Sequence, residues 1–112
     1  MDAGRVNRAP RSADEPPVDT ERLLASGERG THLLFDNGTI TAAFAQDAGR
    51  LEAWVRGDGE GVERAIRGLL AQPSATEGRA FVEGLPRELQ YVLVLLYFEL
   101  LDERLRRRRT LH

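Results

Sequence analysis

The residues of this chain that could do chemistry are few, and their spacing does not bring them into one site. His32 and His112 are the only histidines, and neither has a second histidine or a carboxylate at the spacing of metal ligands. The chain has no cysteine, which excludes disulfides, thiolate zinc sites and cysteine nucleophiles. All sixteen basic residues are arginine, so a Schiff-base or phosphate-binding lysine is excluded too. The sequence predicts no metal site and no cofactor.

The remaining candidates for catalysis have simpler explanations. The glycines of residues 57–61 imitate a phosphate-binding loop, but their spacing is not G-x-G-x-x-G and the acidic side chains between them would repel phosphate. Ser26 and Ser74 are placed to begin or end helices, and the chain contains no G-x-S-x-G turn. We therefore predict that the protein is not an enzyme and has no catalytic residues.

Length and charge limit the fold and the partners. The chain has 112 residues and a net charge of −2, which argues against a surface that wraps nucleic acid as a whole. Residues 1–18 contain three prolines and almost no large apolar residue, so we predict a disordered N-terminal tail. Residues 19–112 are predicted to form a single small domain, which at this size is marginally stable alone. The N-terminus leads into no apolar core of a secretory signal, so we expect a cytoplasmic protein.

The middle of the domain has the pattern of a small sheet. Residues 31–36 and 39–45 are β-suited runs separated by Asn37-Gly38, the pair that best tolerates a type I′ hairpin turn. Residues 50–56 follow as a third run, with Leu51 and Val55 pointing to one face and Trp54 to the other. These patterns predict a three-stranded antiparallel meander.

Helices are predicted before and after these strands along the chain. A short one runs through residues 21–26, an amphipathic one through residues 62–70, and a short one follows the cap at Ser74. Pro86 then suits the first position of a long amphipathic helix that continues into the C-terminal arginines. The expected fold class is α+β, with helices covering one face of the sheet.

The long helix is apolar on two faces. Charged residues interrupt its apolar run within fewer than the roughly 20 residues that a membrane span needs, so we reject a transmembrane helix. The first face, here called the leucine row, consists of Leu89, Leu93, Leu96 and Leu100. The second face, here called the aromatic row, consists of Tyr91, Val94, Phe98, Leu101 and Leu105.

Two apolar faces require two covers, either from within one monomer or from a second chain. We favour the second possibility and predict a non-enzymatic interaction or regulatory protein of adaptor, inhibitor, chaperone or immunity type. It would form a homodimer or bind another protein. The predicted contact residues are Trp54, Tyr91, Val94, Phe98 and Leu101.

Five arginines close the long helix. Cations here complement the negative end of the helix dipole, but they could also contact nucleic acid or an acidic protein. A nucleic-acid-binding or transcription-regulating protein is therefore the alternative function. The residues concerned are Arg104, Arg106, Arg107, Arg108 and Arg109.

Residues 85–99 read LPRELQYVLVLLYFE, and this segment resembles the first helix of the promoter-recognising region 4 of bacterial sigma factors. The resemblance covers about fifteen residues and implies a role related to transcription. In that family a turn and a DNA-reading helix follow, whereas here residues 100–112 are predicted to continue the same helix. The DNA-reading part is thus missing from the similarity.

Overall fold

The computed structural model describes residues 17–110, with Thr110 placed by its backbone alone. The predicted disordered tail, residues 1–18, falls almost wholly outside these residues. Of the tail only Pro17 and Val18 are described, and Val18 is buried. The helices are α1 Thr20–Glu28, α2 Asn37–Phe44, α3 Ala48–Gly57, α4 Gly59–Leu70, α5 Ala75–Glu83 and α6 Arg87–Thr110.

The predicted α+β fold with a three-stranded meander is wrong, because the described residues are all helix, turn or loop and contain no strand. The predicted hairpin turn, Asn37-Gly38, begins α2 instead. Asp36 caps this helix, since its side chain accepts a hydrogen bond of 2.7 Å from the backbone N–H of Thr39. A carboxylate at the N-cap that accepts a hydrogen bond from the N3 amide strongly favours a helix start. This cap competes with the turn preference of Asn-Gly, and the burial of Ala43 in the helical arrangement decides for the helix.

The predicted third strand is also a helix, α3. Asp47 caps it by accepting a hydrogen bond of 2.9 Å from the N–H of Gly49. Leu51 is buried, and Trp54 and Val55 pack partly buried against the same core. These positions follow the i, i+3, i+4 spacing of a helix face, so Trp54 lies on the same side as Leu51 and not opposite to it. A run of seven residues fits both the two-residue period of a strand and the 3.6-residue period of a helix. The burial of its apolar side chains decides between the two structures.

The order of the remaining helices follows the sequence prediction. Asp58 ends α3 and caps α4 through a 3.1 Å bond from the N–H of Gly61, and Ser74 caps α5 through a 3.2 Å bond from the N–H of Glu77. The long helix α6 lies at the centre, packed against α1, α2, α3 and α4. Val94, in its first half, is fully buried.

Gly38 offers a direct test of helix against hairpin. In α2 a methyl group at this position would meet only the Asp36 carboxylate at 3.6 Å, an ordinary contact. Alanine loses less backbone entropy on folding and prefers helix, so Gly38→Ala is expected to stabilise the protein by about 0.5 kcal/mol. In a type I′ turn the same change would destabilise it, because the second turn residue needs a positive φ. Urea denaturation measures the difference.

The matched control for this substitution is Gly30→Ala. Gly30 has a φ of 88°, which L-residues rarely adopt, so this variant should lose stability. A loss for Gly38→Ala of the same size as for Gly30→Ala would contradict the helical α2.

Candidate docking surface on the C-terminal helix

The leucine row of α6 is covered along only half of its length. Leu89 and Leu93 are 8% and 5% exposed, whereas Leu96 and Leu100 are 36% and 49% exposed. The spacing along the row is four, three and four residues, which is the heptad spacing of a helix that packs against another helix. The rest of the described chain therefore covers the first half of this seam and leaves the second half open to solvent.

Carboxylates adjoin the open half of the leucine row. Glu99 lies three residues after Leu96, and Glu103 lies three residues after Leu100, so each exposed leucine has a glutamate beside it on the helix surface. Both glutamates are exposed. Glu103 is 3.8 Å from Arg107, an exposed pair, while Glu99 forms no ion pair within residues 17–110. We call Leu96, Leu100, Glu99 and Glu103 the open leucine face.

Two arginines near the end of α6, Arg104 and Arg108, form ion pairs with glutamates of α1. Arg104 donates from Nε to Glu28 at 2.6 Å and from a terminal nitrogen to Glu21 at 2.8 Å. Arg108 donates to the other oxygen of Glu28, also at 2.6 Å. The Arg104 and Glu28 side chains are largely buried. Because hydrogen bonds from Arg104 favour the charged carboxylates, they lower the pKa values of Glu21 and Glu28. This cluster, here called the arginine clamp, ties α6 to both ends of α1.

The other arginines predicted to contact a partner are more exposed. Arg106 pairs with Asp102 at 2.7 Å, and Arg107 pairs with Glu103, each with a residue one turn earlier on α6. Arg109 is exposed. Exposed pairs of this kind contribute little to stability. Of the five arginines predicted from the sequence, the structure gives Arg104 a structural role, and Arg108 shares its partner Glu28.

An aromatic cluster joins the loop between α1 and α2, the end of α2, and α6. The hydroxyl of Tyr97 and Nδ1 of His32 are 2.8 Å apart, and the His32 ring also packs edge-on against Phe98 at 5.0 Å between centroids. Burial raises the pKa of the Tyr97 hydroxyl. Phe98 is in turn packed against Phe44 at 5.3 Å, and Phe44 is 57% exposed at the end of α2. His32 is thus part of a packed aromatic cluster.

The residues predicted from sequence to form a protein contact lie in different environments. Val94 and Leu101 are buried in the core, and Phe98 is partly buried beneath Phe44. Tyr91 and Trp54, from α6 and α3, line one depression of about 320 Å³ together with Glu88 and other residues. The aromatic row is therefore mostly covered by the chain itself.

Among the described residues, the exposed large apolar side chains are Phe44, Leu70, Leu96 and Leu100, and none of them is among the contact residues predicted from the sequence. The leucine row itself is recognisable from helical spacing. What the sequence does not contain is the position at which the covering helices end.

No group of three histidine, cysteine, aspartate or glutamate side chains within residues 17–110 could hold a metal ion. A groove of about 620 Å³ between α1 and α5 is lined mainly by apolar side chains, with Asp19, Arg22, Arg79 and Glu83 also along it. Arg79 and Glu83 pair with each other at 3.8 Å, and Thr76 also lines this groove.

The described part of the chain also has no helix with the length and apolar character needed to cross a membrane. Comparisons with protein-family models, with curated proteins and with solved structures gave no match. The open leucine face is therefore the feature of the described residues from which we infer a function.

Proposed function

We propose that this protein is a non-enzymatic interaction module that binds a second polypeptide through the open leucine face of α6. The observation that carries the proposal is the uncovered second half of the leucine row. Two leucines in heptad register continue a buried seam into solvent, and this is the side that a further helix would cover. A regulatory role, in which binding controls the partner, belongs to the same proposal, as does a location in the cytoplasm.

The alternative of nucleic-acid binding has less support. Sequence-independent contact with phosphates needs arginines that are available to neutralise them. Arg104 and Arg108 are held by Glu28 in the arginine clamp, and carboxylates flank the exposed leucines on the same helix. If these two arginines bound phosphates instead, the carboxylate of Glu28 would be left without an ion-pair partner.

The test places a photo-crosslinking amino acid at position 100 in the host cell. The control places it at position 70, because Leu70 is a comparably exposed leucine, at 43%, on α4. We expect a cross-linked second polypeptide from position 100 and much less from position 70. Mass spectrometry of the product identifies it as a second copy or as another protein.

The matching substitution is Leu100→Glu. A leucine buried in a helix contact contributes more than about 1 kcal/mol when it is an anchor, so the variant should bind the captured polypeptide at least about fivefold more weakly. Leu70→Glu should bind as the wild type does, and circular dichroism should show both variants folded. Equal cross-linking at positions 100 and 70, or full binding by Leu100→Glu, would refute the proposed surface.

A further inference from the structure

We infer that the partner of the open leucine face is a helix of a different protein, with an apolar seam flanked by arginine or lysine. This inference depends on the proposed function and adds the chemistry of the partner to it. It follows from the charges that surround Leu96 and Leu100 and from the positions of the arginines on the same helix.

The open leucine face carries carboxylates beside and beyond its leucines. Glu99 lies in a flanking position next to Leu96 and Leu100, and Glu103 takes the next position of the row itself, three residues after Leu100. Glu99 has no ion pair within the described residues, and the contact between Glu103 and Arg107 is long and exposed, at 3.8 Å. Two carboxylates are therefore available to a partner, and basic side chains on its helix would complement them.

The arginines of α6 do not neutralise the carboxylates nearest to the exposed leucines. Arg104 and Arg108 turn toward α1, where Glu21 and Glu28 bind them. Arg106 pairs with Asp102. Arg107, which contacts Glu103 at 3.8 Å, and Arg109, which is exposed, lie about two turns or more beyond Leu100. Within one turn of Leu96 and Leu100, the exposed charged side chains are the carboxylates of Glu99, Asp102 and Glu103. The face is acidic, although the helix segment that carries it is rich in arginine.

The charges of the open leucine face disfavour a second copy of the chain as its partner. In a twofold dimer the same surface meets itself. Two open leucine faces would bring Glu99 and Glu103 of one copy close to the same residues of the other copy. Like charges placed together in a contact oppose association. The face has the apolar pattern for a helix contact, but its charges do not complement themselves.

The test uses two synthetic peptides that differ only in charge. Each has about 14 residues, is covalently stapled because a free helix of that length is marginal in water, and presents three leucines in heptad register. One carries arginine and the other glutamate at the positions that flank the leucines. Fluorescence anisotropy of labelled peptide measures the dissociation constant with the full-length protein. We expect the basic peptide to bind at least tenfold more tightly than the acidic one, and the difference to shrink as salt is raised.

Variants show whether the difference arises at the proposed face. Leu100→Glu should abolish binding of the basic peptide, while Leu70→Glu on α4 should leave it unchanged. The double variant Glu99→Arg, Glu103→Arg should reverse the preference, so that the acidic peptide binds more tightly. Equal affinities for the two peptides, no binding of either, or an unreversed preference in the double variant would overturn the inference.

The two experiments together distinguish a wrong partner chemistry from a wrong docking surface. If position 100 cross-links to a second copy or to an acidic helix while the basic peptide fails to bind, the open leucine face is a docking surface but the inferred partner is wrong. If position 100 cross-links to nothing and neither peptide binds, both proposals fail.

Discussion

Replacing Gly27 by alanine is expected to destabilise the protein by about 2 kcal/mol, the middle of the range for overpacking a well-packed core. Gly27 is buried in α1 where this helix crosses α6. A methyl group there would collide with the hydroxyl of Tyr97 and would lie only 3.2 Å from a methyl carbon of Leu101. The absence of a side chain at Gly27 is what lets α1 approach α6 closely enough for the arginine clamp to form. Thermal unfolding should show a midpoint lowered by roughly 8 to 16 °C for a domain of this size.

A double-mutant cycle tests whether the clash with Tyr97 causes this loss of stability. Tyr97→Phe removes the hydroxyl that the new methyl group would strike, at the cost of the hydrogen bond to His32, about 1 kcal/mol. In the Tyr97→Phe background, Gly27→Ala should therefore cost clearly less than it does in the wild type. Strictly additive losses would show that Tyr97 does not limit the approach of α1.

Replacing Arg104 by methionine is expected to give the second large effect. The change leaves Glu28, which has a largely buried side chain, with Arg108 as its remaining partner, and it removes the partner of Glu21. An acid held near a protein interior without its full set of partners destabilises the fold. The melting temperature at neutral pH should fall by several degrees. Arg107→Met is the matched control, because Arg107 pairs only with an exposed residue of its own helix, and it should change little.

The effect of Arg104→Met should depend on pH. Hydrogen bonds from Arg104 hold the pKa values of Glu21 and Glu28 below their ordinary value of 4.5. A carboxyl with a lowered pKa in the folded state stabilises the fold fully above its ordinary pKa, and this contribution is lost as the pH falls through the lowered value. The gap in stability between wild type and Arg104→Met should thus be widest at neutral pH and should shrink below about 4.5. A gap that stays constant down to pH 3 would rule out the arginine clamp as its source.

Helices α1, α4, α5 and α6 could be predicted from the sequence, whereas α2 and α3 could not. For α4 and α5, the apolar spacing and the capping residues Asp58 and Ser74 agree with each other. For α2, two local signals compete: Asn37-Gly38 favours a hairpin, and Asp36 followed by Thr39 favours a helix cap. Only the core resolves this conflict, since Ala43 becomes almost fully buried when residues 37–44 are helical.

The candidate docking surface could be predicted only in part. Helical spacing identifies both rows of α6 as apolar. It does not reveal that α2 and α1 cover the aromatic row, or that the cover over the leucine row stops after Leu93. The arginine clamp was also outside the reach of sequence reasoning, because Glu21 and Glu28 are more than seventy positions from Arg104 along the chain. Such pairs follow from tertiary packing alone.

The half-buried position of Trp54 has a practical consequence. It is the only tryptophan of the chain, and it lies between α3 and α6 beside Tyr91. Intrinsic fluorescence is therefore a built-in probe of how α3 packs on the central helix, and unfolding can be followed without attaching a dye. Leu100 lies about 18 Å further along α6 than Glu88, which shares the depression with Trp54. The emission of this single residue thus reports the integrity of the fold, and occupancy of the open leucine face needs a separate label.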